Sequence, residues 1–219
     1  MARTVAAGRS GQGPVVALKI CGLVRSDDVV ACRELGVDAI GINLWSGSPR
    51  GLSIDAAAHM LAQAGETPMR IGVFVDADAA FVVDAVARLS LAAVQLHGDH
   101  VDPDVLALGV PWVWVLRGTP ELATLSSPAP APRFALLDAH VPGYGGRGVT
   151  TDWTWAATAV AALAPMPVWL AGGITPDNVA AAIAIVRPAG LDVASGAEDG
   201  VPGVKSRAKI AALVQACRG

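Results

Sequence analysis

Charge is scarce in this sequence: only 16% of its 219 residues are Asp, Glu, Lys or Arg, the formal balance is −3, and no run of lysines or arginines occurs. Nucleic-acid surfaces and anionic membranes reward clustered basic residues, so neither is an expected partner. Any anionic ligand must be held by local chemistry. Cysteine is scarce too. Three thiols with no C-x-x-C pair suit neither a disulfide framework nor a zinc site, which points to reduced cysteines in a cytoplasmic protein and to no bound metal. Long apolar runs are missing: Gly, Pro or a charge interrupts each one well short of the roughly 20 residues that span a bilayer. Nor does G-x-G-x-x-G follow the first apolar segment, where Lys19-Ile-Cys-Gly22 stands instead, so the dinucleotide-binding fingerprint of a doubly wound sheet is absent.

What the sequence has in abundance is apolar surface, with 53% hydrophobic residues. Short segments rich in Val, Ile and Leu recur eight times: Val15 to Lys19, Ala39 to Leu44, Arg70 to Val75, Ala92 to Leu96, Trp112 to Leu116, Phe134 to Leu137, Val168 to Ala171 and Gly190 to Val193. Helix-like stretches such as Asp27 to Leu35, Ile54 to Ala64, Ala79 to Leu89 and Asp177 to Val186 lie between them, with Ser26, Ser53 and Thr175 as expected N-caps and Pro176 at a first helical position. Strand–helix alternation is the signature of a parallel sheet. Eight strands with eight helices close into a barrel more naturally than they lie open, and the length is near the roughly 200-residue lower bound of that architecture. The expectation is an α/β single-domain (β/α)8 TIM barrel over residues 15–219, with 1–14 as a terminal extension outside the fold.

In such a barrel the active site lies at the C-terminal ends of the strands. That edge carries Cys21, Asn43 with Arg50 in the following loop, Asp76, His97, Arg117, Asp138, Gly172-Gly173 and Ser195-Gly196. Side chains alternate along a strand, so Lys19 and Cys21 share one face and Ile20 takes the other, while Asp138 points inward with Leu136. Position alone leaves Cys21 readable as a small buried hydrophobe, as Cys32 and Cys217 are. Asp138 ends the apolar run Phe134-Ala-Leu-Leu137, where a carboxyl needs a purpose or a partner. Gly172-Gly173 ahead of Thr175-Pro176, together with Ser195-Gly196, offers backbone N–H groups to an anion where barrels often hold phosphate. Arg50 is either a carboxylate clamp or a solvated loop arginine, and His97 either a site residue or a structural histidine. Lys19 and Asp192 both point into the barrel and are expected to pair.

Jointly, Lys19-Ile-Cys-Gly22, Gly41-Ile-Asn43, Ser48-Pro-Arg50, Val94-Gln-Leu-His-Gly98, Leu136-Leu-Asp138, Asp152-Trp153, Leu170-Ala-Gly-Gly173, Pro176-Asp-Asn-Val179, Ser195-Gly196 and Pro202-Gly203 resemble phosphoribosylanthranilate isomerase in order and spacing. The resemblance implies a step of tryptophan biosynthesis, the Amadori rearrangement of N-(5′-phosphoribosyl)anthranilate to 1-(2-carboxyphenylamino)-1-deoxyribulose 5-phosphate, with no cofactor. It implies Asp138 as general acid on the ribose ring oxygen and Cys21 as general base at C2′. Arg50 would hold the anthranilate carboxylate, Gly172, Gly173, Ser195 and Gly196 the phosphate, and Asn43 and His97 would also contact substrate. These roles call for a pKa above about 3.9 at Asp138 and below about 8.5 at Cys21. Departures from the pattern are Arg147 within Gly143-Tyr-Gly-Gly-Arg-Gly148, Thr151 before Asp152-Trp153, and Leu44-Trp45 at the anthranilate wall. The rival readings are another phosphate-binding barrel enzyme and a catalytically silent barrel that binds a phosphosugar. A monomer or homodimer is expected.

Overall fold

The computed structural model describes residues 15–98, 101–126, 128–139 and 150–219. Eight strands form a closed parallel barrel in chain order: β1 Ala17–Cys21, β2 Ala39–Asn43, β3 Met69–Val75, β4 Ala93–His97, β5 Trp112–Arg117, β6 Phe134–Asp138, β7 Val168–Leu170 and β8 Gly190–Val193. The ring closes where β1 meets β8, with Lys19 opposite Asp192. Several strands run a residue further than the apolar segments suggested, because backbone pairing continues through polar residues at the mouth. Arg117 pairs with Asp138, and Val75 with His97. As a result Cys21, Asn43, His97, Arg117 and Asp138 are each the last residue of a strand.

Among the described residues there are seven α-helices: α1 Ser26–Glu34, α2 Ile54–Ala64, α3 Ala79–Leu89, α4 Pro103–Ala107, α5 Trp153–Ala162, α6 Val179–Val186 and α7 Arg207–Arg218. The expected eighth is missing between β5 and β6, where Leu122–Thr124 makes only a single-turn 3-10 helix. That connection contains Pro120, Pro128, Pro130 and Pro132, and each proline removes a backbone donor and disfavours helix at the residue before it.

Helix α3 illustrates the rest: Val82, Ala85 and Leu89, spaced by three and four, form its buried face, and Asp78 accepts from the Phe81 N–H to cap it. Ser53 caps α2 in the same way, as its position indicated. Ser26 does not cap α1: it is the first helical residue, and Arg25 occupies the cap without a side-chain bond. Thr175 and Pro176 do not open α6 either. They form a turn in which the Thr175 carbonyl accepts from the Asn178 and Val179 N–H groups, and the helix begins at Val179.

Alternation along the strands divides the interior into two layers. Leu18, Ile20, Ile40, Ile42, Leu137 and Leu170 face outward against the helices. Ala39, Ile71, Ala93, Val113, Phe134, Leu136 and Trp169 fill the barrel itself, where the Phe134 and Trp169 rings stack with centroids 4.4 Å apart. This plug makes the lumen a packed core rather than a pore, so a ligand can enter only above it.

Candidate active site

Above the apolar plug lies a polar layer. Lys19, fully buried, donates to Asp192 Oδ2 and to Gln95 Oε1, each at 2.7 Å. The expected Lys19–Asp192 pair is therefore present, with Gln95 as an unforeseen third member. Asp192 does more than support the barrel: it lines the cavity at the mouth, and its Oδ1 has no hydrogen-bond partner among the described residues.

Two residues further along the same strands, the next inward positions are the candidate groups. Cys21 follows Lys19, His97 follows Gln95, and Asp138 follows Leu136. All three line one cavity with Asn43, Trp45, Arg50, Gly172, Gly173, Ser195 and Gly196. Every predicted site residue is thus brought to a single mouth. Arg117 instead faces an adjacent groove with Gly118, Pro120 and Thr151, and Asp76 donates its backbone N–H to the His97 carbonyl. Gly41 on β2 stands beside Cys21, and a Cβ there would come within 2.6 Å of Sγ and 3.0 Å of Lys19 Cε. A side chain at that position would displace the thiol.

Burial dominates the electrostatics. It raises the Asp138 carboxyl to about 6, assisted by the negative charge of Asp192 and opposed by the Ala139 N–H and Arg117. The direction of this shift is the one that the expected acid role calls for. Cys21 departs from expectation: burial pushes its thiol up, and the opposing charges of Lys19 and Lys205 do not reverse that. His97 is driven down to about 3 by burial and by the positive charges of Lys19 and Arg117, so it is a neutral imidazole.

Arg50 is not a solvated loop residue. Ser48 Oγ accepts its backbone N–H, and its side chain is buried against Glu198, with Nε and Nη2 donating to the two carboxylate oxygens at 2.6 and 2.7 Å. Glu198 also accepts from the Gly203 N–H and from Lys205 Nζ, which in turn donates to the Ala194 carbonyl. Burial alone would raise the Glu198 pKa, yet these donors together hold it below the ordinary value. Neither Glu198 nor Lys205 stood out in the sequence, since both lie beyond the strand ends.

The loop after β7 is pinned by Asn178, which accepts from the Thr175 N–H and donates to the Gly173 carbonyl, both at 2.8 Å. Gly173 has φ +64, and a Cβ there would meet Thr150 Oγ1 at 2.6 Å, so the loop needs glycine. Thr151 donates to the Ala171 carbonyl, fastening the segment after β6 to the end of β7. Of Leu44 and Trp45, which depart from the pattern, Trp45 lines the cavity and Leu44 is buried in the hydrophobic core. Arg147 lies outside the described residues. Among the described residues no helix is long and apolar enough to cross a membrane.

A family model described as N-(5′phosphoribosyl)anthranilate (PRA) isomerase matches residues 18–216. A relative of that name from Thiobacillus denitrificans is 39% identical over 202 residues, covering 91% of this chain and 96% of its own. The crystal structure of phosphoribosyl anthranilate isomerase from Thermus thermophilus superposes with a TM-score of 0.78 at 32% identity, covering 92% of this chain and 98% of that one. A further isomerase structure, in complex with reduced 1-(o-carboxyphenylamino)-1-deoxyribulose 5-phosphate, gives 0.75 at 26% identity, with 92% and 98% covered. The barrel, the family match and these relatives agree, and the chain belongs to the N-(5′-phosphoribosyl)anthranilate isomerase family.

Proposed function

We propose that this chain carries out its family's isomerisation with Asp138 as general acid and Cys21 as general base, working without a cofactor in the cytoplasm. The observation that carries this reading is the pairing of a carboxyl raised to about 6 with a thiol that lines the same cavity, on β6 and β1. In the ring of strands β7 and β8 lie between them, and the ends of these two strands bear Gly172-Gly173 and Ser195-Gly196. Backbone N–H groups of those loops would anchor the ribose phosphate. On the other side Arg50, held by Glu198, would take the anthranilate carboxylate, with Trp45, Asn43 and His97 completing the wall.

The sugar is then fixed between acid and base, the arrangement by which positioning lowers a barrier. Asp138 delivers its proton to the ring oxygen as the C1′–O bond breaks and the amine nitrogen supplies the electron pair of an iminium. Cys21, as thiolate, removes the C2′ proton; the C–H electrons form the enolamine double bond and neutralise the nitrogen. The enolamine then ketonises. The reaction requires Asp138 protonated and Cys21 ionised, the reverse of the order in which an acid near 6 and a raised thiol lose their protons. Turnover therefore proceeds through a minor ionisation state of the free enzyme.

The test follows the fluorescence of phosphoribosylanthranilate with wild type, Cys21→Ser and Asp138→Asn. Loss of about 10²-fold or more in kcat is expected for each variant. Undiminished turnover in either overturns that residue's role, and no turnover by the wild type favours a silent phosphosugar-binding barrel.

A further inference from the structure

We infer that Gln95 is a positioning residue that holds His97 in the mouth as the uncharged imidazole with its proton on Nδ1. Lys19, Gln95 and His97 form a chain of three buried side chains whose polarity is set at one end. Lys19 Nζ stands 2.7 Å from both Asp192 Oδ2 and Gln95 Oε1. An ammonium has donors and no acceptor, so the atom of the Gln95 amide that faces it must be the oxygen. The amide's NH2 is thereby turned to His97, whose Nε2 lies 2.7 Å away. That NH2 only donates, so Nε2 must carry a lone pair, and the ring proton must sit on Nδ1.

The two alternatives both set donor against donor in a dry site. An imidazolium, or the Nε2–H tautomer, would direct N–H at N–H. Flipping the amide would satisfy the ring only by aiming its NH2 at the Lys19 ammonium. Unpaired buried donors are costly, most of all beside a charge. Gln95 and Lys19 are 3% and 0% exposed, so water does not relieve the conflict.

The charged groups around the ring reinforce the same state. Lys19 on β1 and Arg117 on β5 oppose a cation. Asp192 on β8 is engaged by Lys19, Asp138 on β6 lines the same cavity, and Asp76 after β3 meets the His97 carbonyl through its backbone. A fixed neutral ring adds no positive charge to the cavity that Asp138 lines; such a charge would favour the carboxylate and oppose retention of the proton that the acid must deliver. The tautomer stands independently of the reaction, whereas this kinetic consequence rests on Asp138 as acid.

The experiment is nitrogen NMR of the full-length protein with 15N-labelled histidine, His97→Asn identifying the signals. The wild type is expected to show a neutral Nδ1–H ring whose shifts stay constant from about pH 5 to 8. A ring that titrates in that window, or an Nε2–H pattern, overturns the inference, and replacing His59, His100 and His140 in turn assigns the remaining signal to His97 even if His97→Asn does not fold. In Gln95→Glu the carboxylate accepts on both sides, so the ring is expected to switch to a protonated Nε2; an unchanged pattern in the folded variant also overturns it. In kinetics, His97→Asn is expected to lose about tenfold in kcat/KM, the worth of one hydrogen bond, while keeping both limbs of the pH profile. Disappearance of a limb would assign that ionisation to His97. A failure of Asp138→Asn to reduce kcat would instead strike the acid assignment and leave the tautomer untouched.

Discussion

Arg50 and Glu198, 148 residues apart in sequence, meet as a buried two-point ion pair, with Nε and Nη2 of one on the two carboxylate oxygens of the other. The pair ties the loop after β2 to the segment after β8, so one contact links the two ends of the proposed substrate site.

Glu198→Ala removes the carboxylate shared by two buried cations, Arg50 and Lys205. Removing one partner of a buried pair costs about 3–5 kcal/mol, so a comparable loss is expected in denaturant unfolding. Glu198→Gln keeps the shape and one acceptor, and is expected to fold while raising KM for phosphoribosylanthranilate more than it lowers kcat. A KM equal to that of wild type would show that Glu198 does not position Arg50.

With Asp138 as the proposed acid and Cys21 as the proposed base, the pH profile follows from their two ionisations. Below about 6 both Asp138 and Cys21 hold their protons, and no base is present. Between that value and the raised pKa of the thiol the pair holds one proton, part of the population in the productive arrangement, and above the thiol's pKa no acid remains. The expected kcat/KM profile is a bell, rising through about 6 and falling above the ordinary thiol range. As a coupled pair, its limbs belong to both groups together. Absence of the lower limb would contradict the raised carboxyl.

Asp138 also costs stability. Its folded value near 6 exceeds the unfolded value of about 3.9, so the folded state binds more protons between them and stability falls as pH rises through that window. Asp138→Asn is expected to raise unfolding free energy at neutral pH by about 1–2 kcal/mol, a figure reduced for the carboxyl's partial exposure, and to make no such gain near pH 4. Equal gains at both values would point to a cause other than ionisation.

Gly41→Ala places a methyl against Cys21 Sγ and Lys19 Cε. Overpacking of this kind costs about 1–3 kcal/mol, and the displaced thiol is expected to lower kcat by at least about tenfold. Alkylation of Cys21 by iodoacetamide, with and without substrate protection, reports the displacement directly; unchanged alkylation and turnover would mean that the site absorbs the methyl.

Gly173→Ala strains a φ of +64 and meets Thr150. Competitive inhibition by inorganic phosphate is expected to weaken about tenfold if this loop holds the phosphate. Inhibition as strong as in the wild type would place the phosphate elsewhere.

Much of this protein was legible in its sequence because the relevant signals are short-range. Strand and helix order, the inward faces of Lys19, Cys21 and Asp138, and the glycine edges follow from periods of two and 3.6 and from residue chemistry, which neighbouring positions carry by themselves. Ser53 as a cap and the Lys19–Asp192 pair belong to the same class, one local and the other required by two charges facing into a barrel. The lost helix after β5 was also written locally, in its prolines, but the eightfold count overrode them.

Tertiary structure alone decided the rest. The Arg50–Glu198–Lys205 cluster joins segments that only ring closure brings together, so no spacing could announce it. The raised Cys21 thiol is a matter of dehydration, and how far water is removed depends on every strand around the mouth. The proton on His97 follows from an amide whose orientation is dictated by a lysine 76 residues before it. The sequence by itself determined which groups stand at the mouth; only the closed barrel decided their charge, because charge depends on the distance to partners and to water.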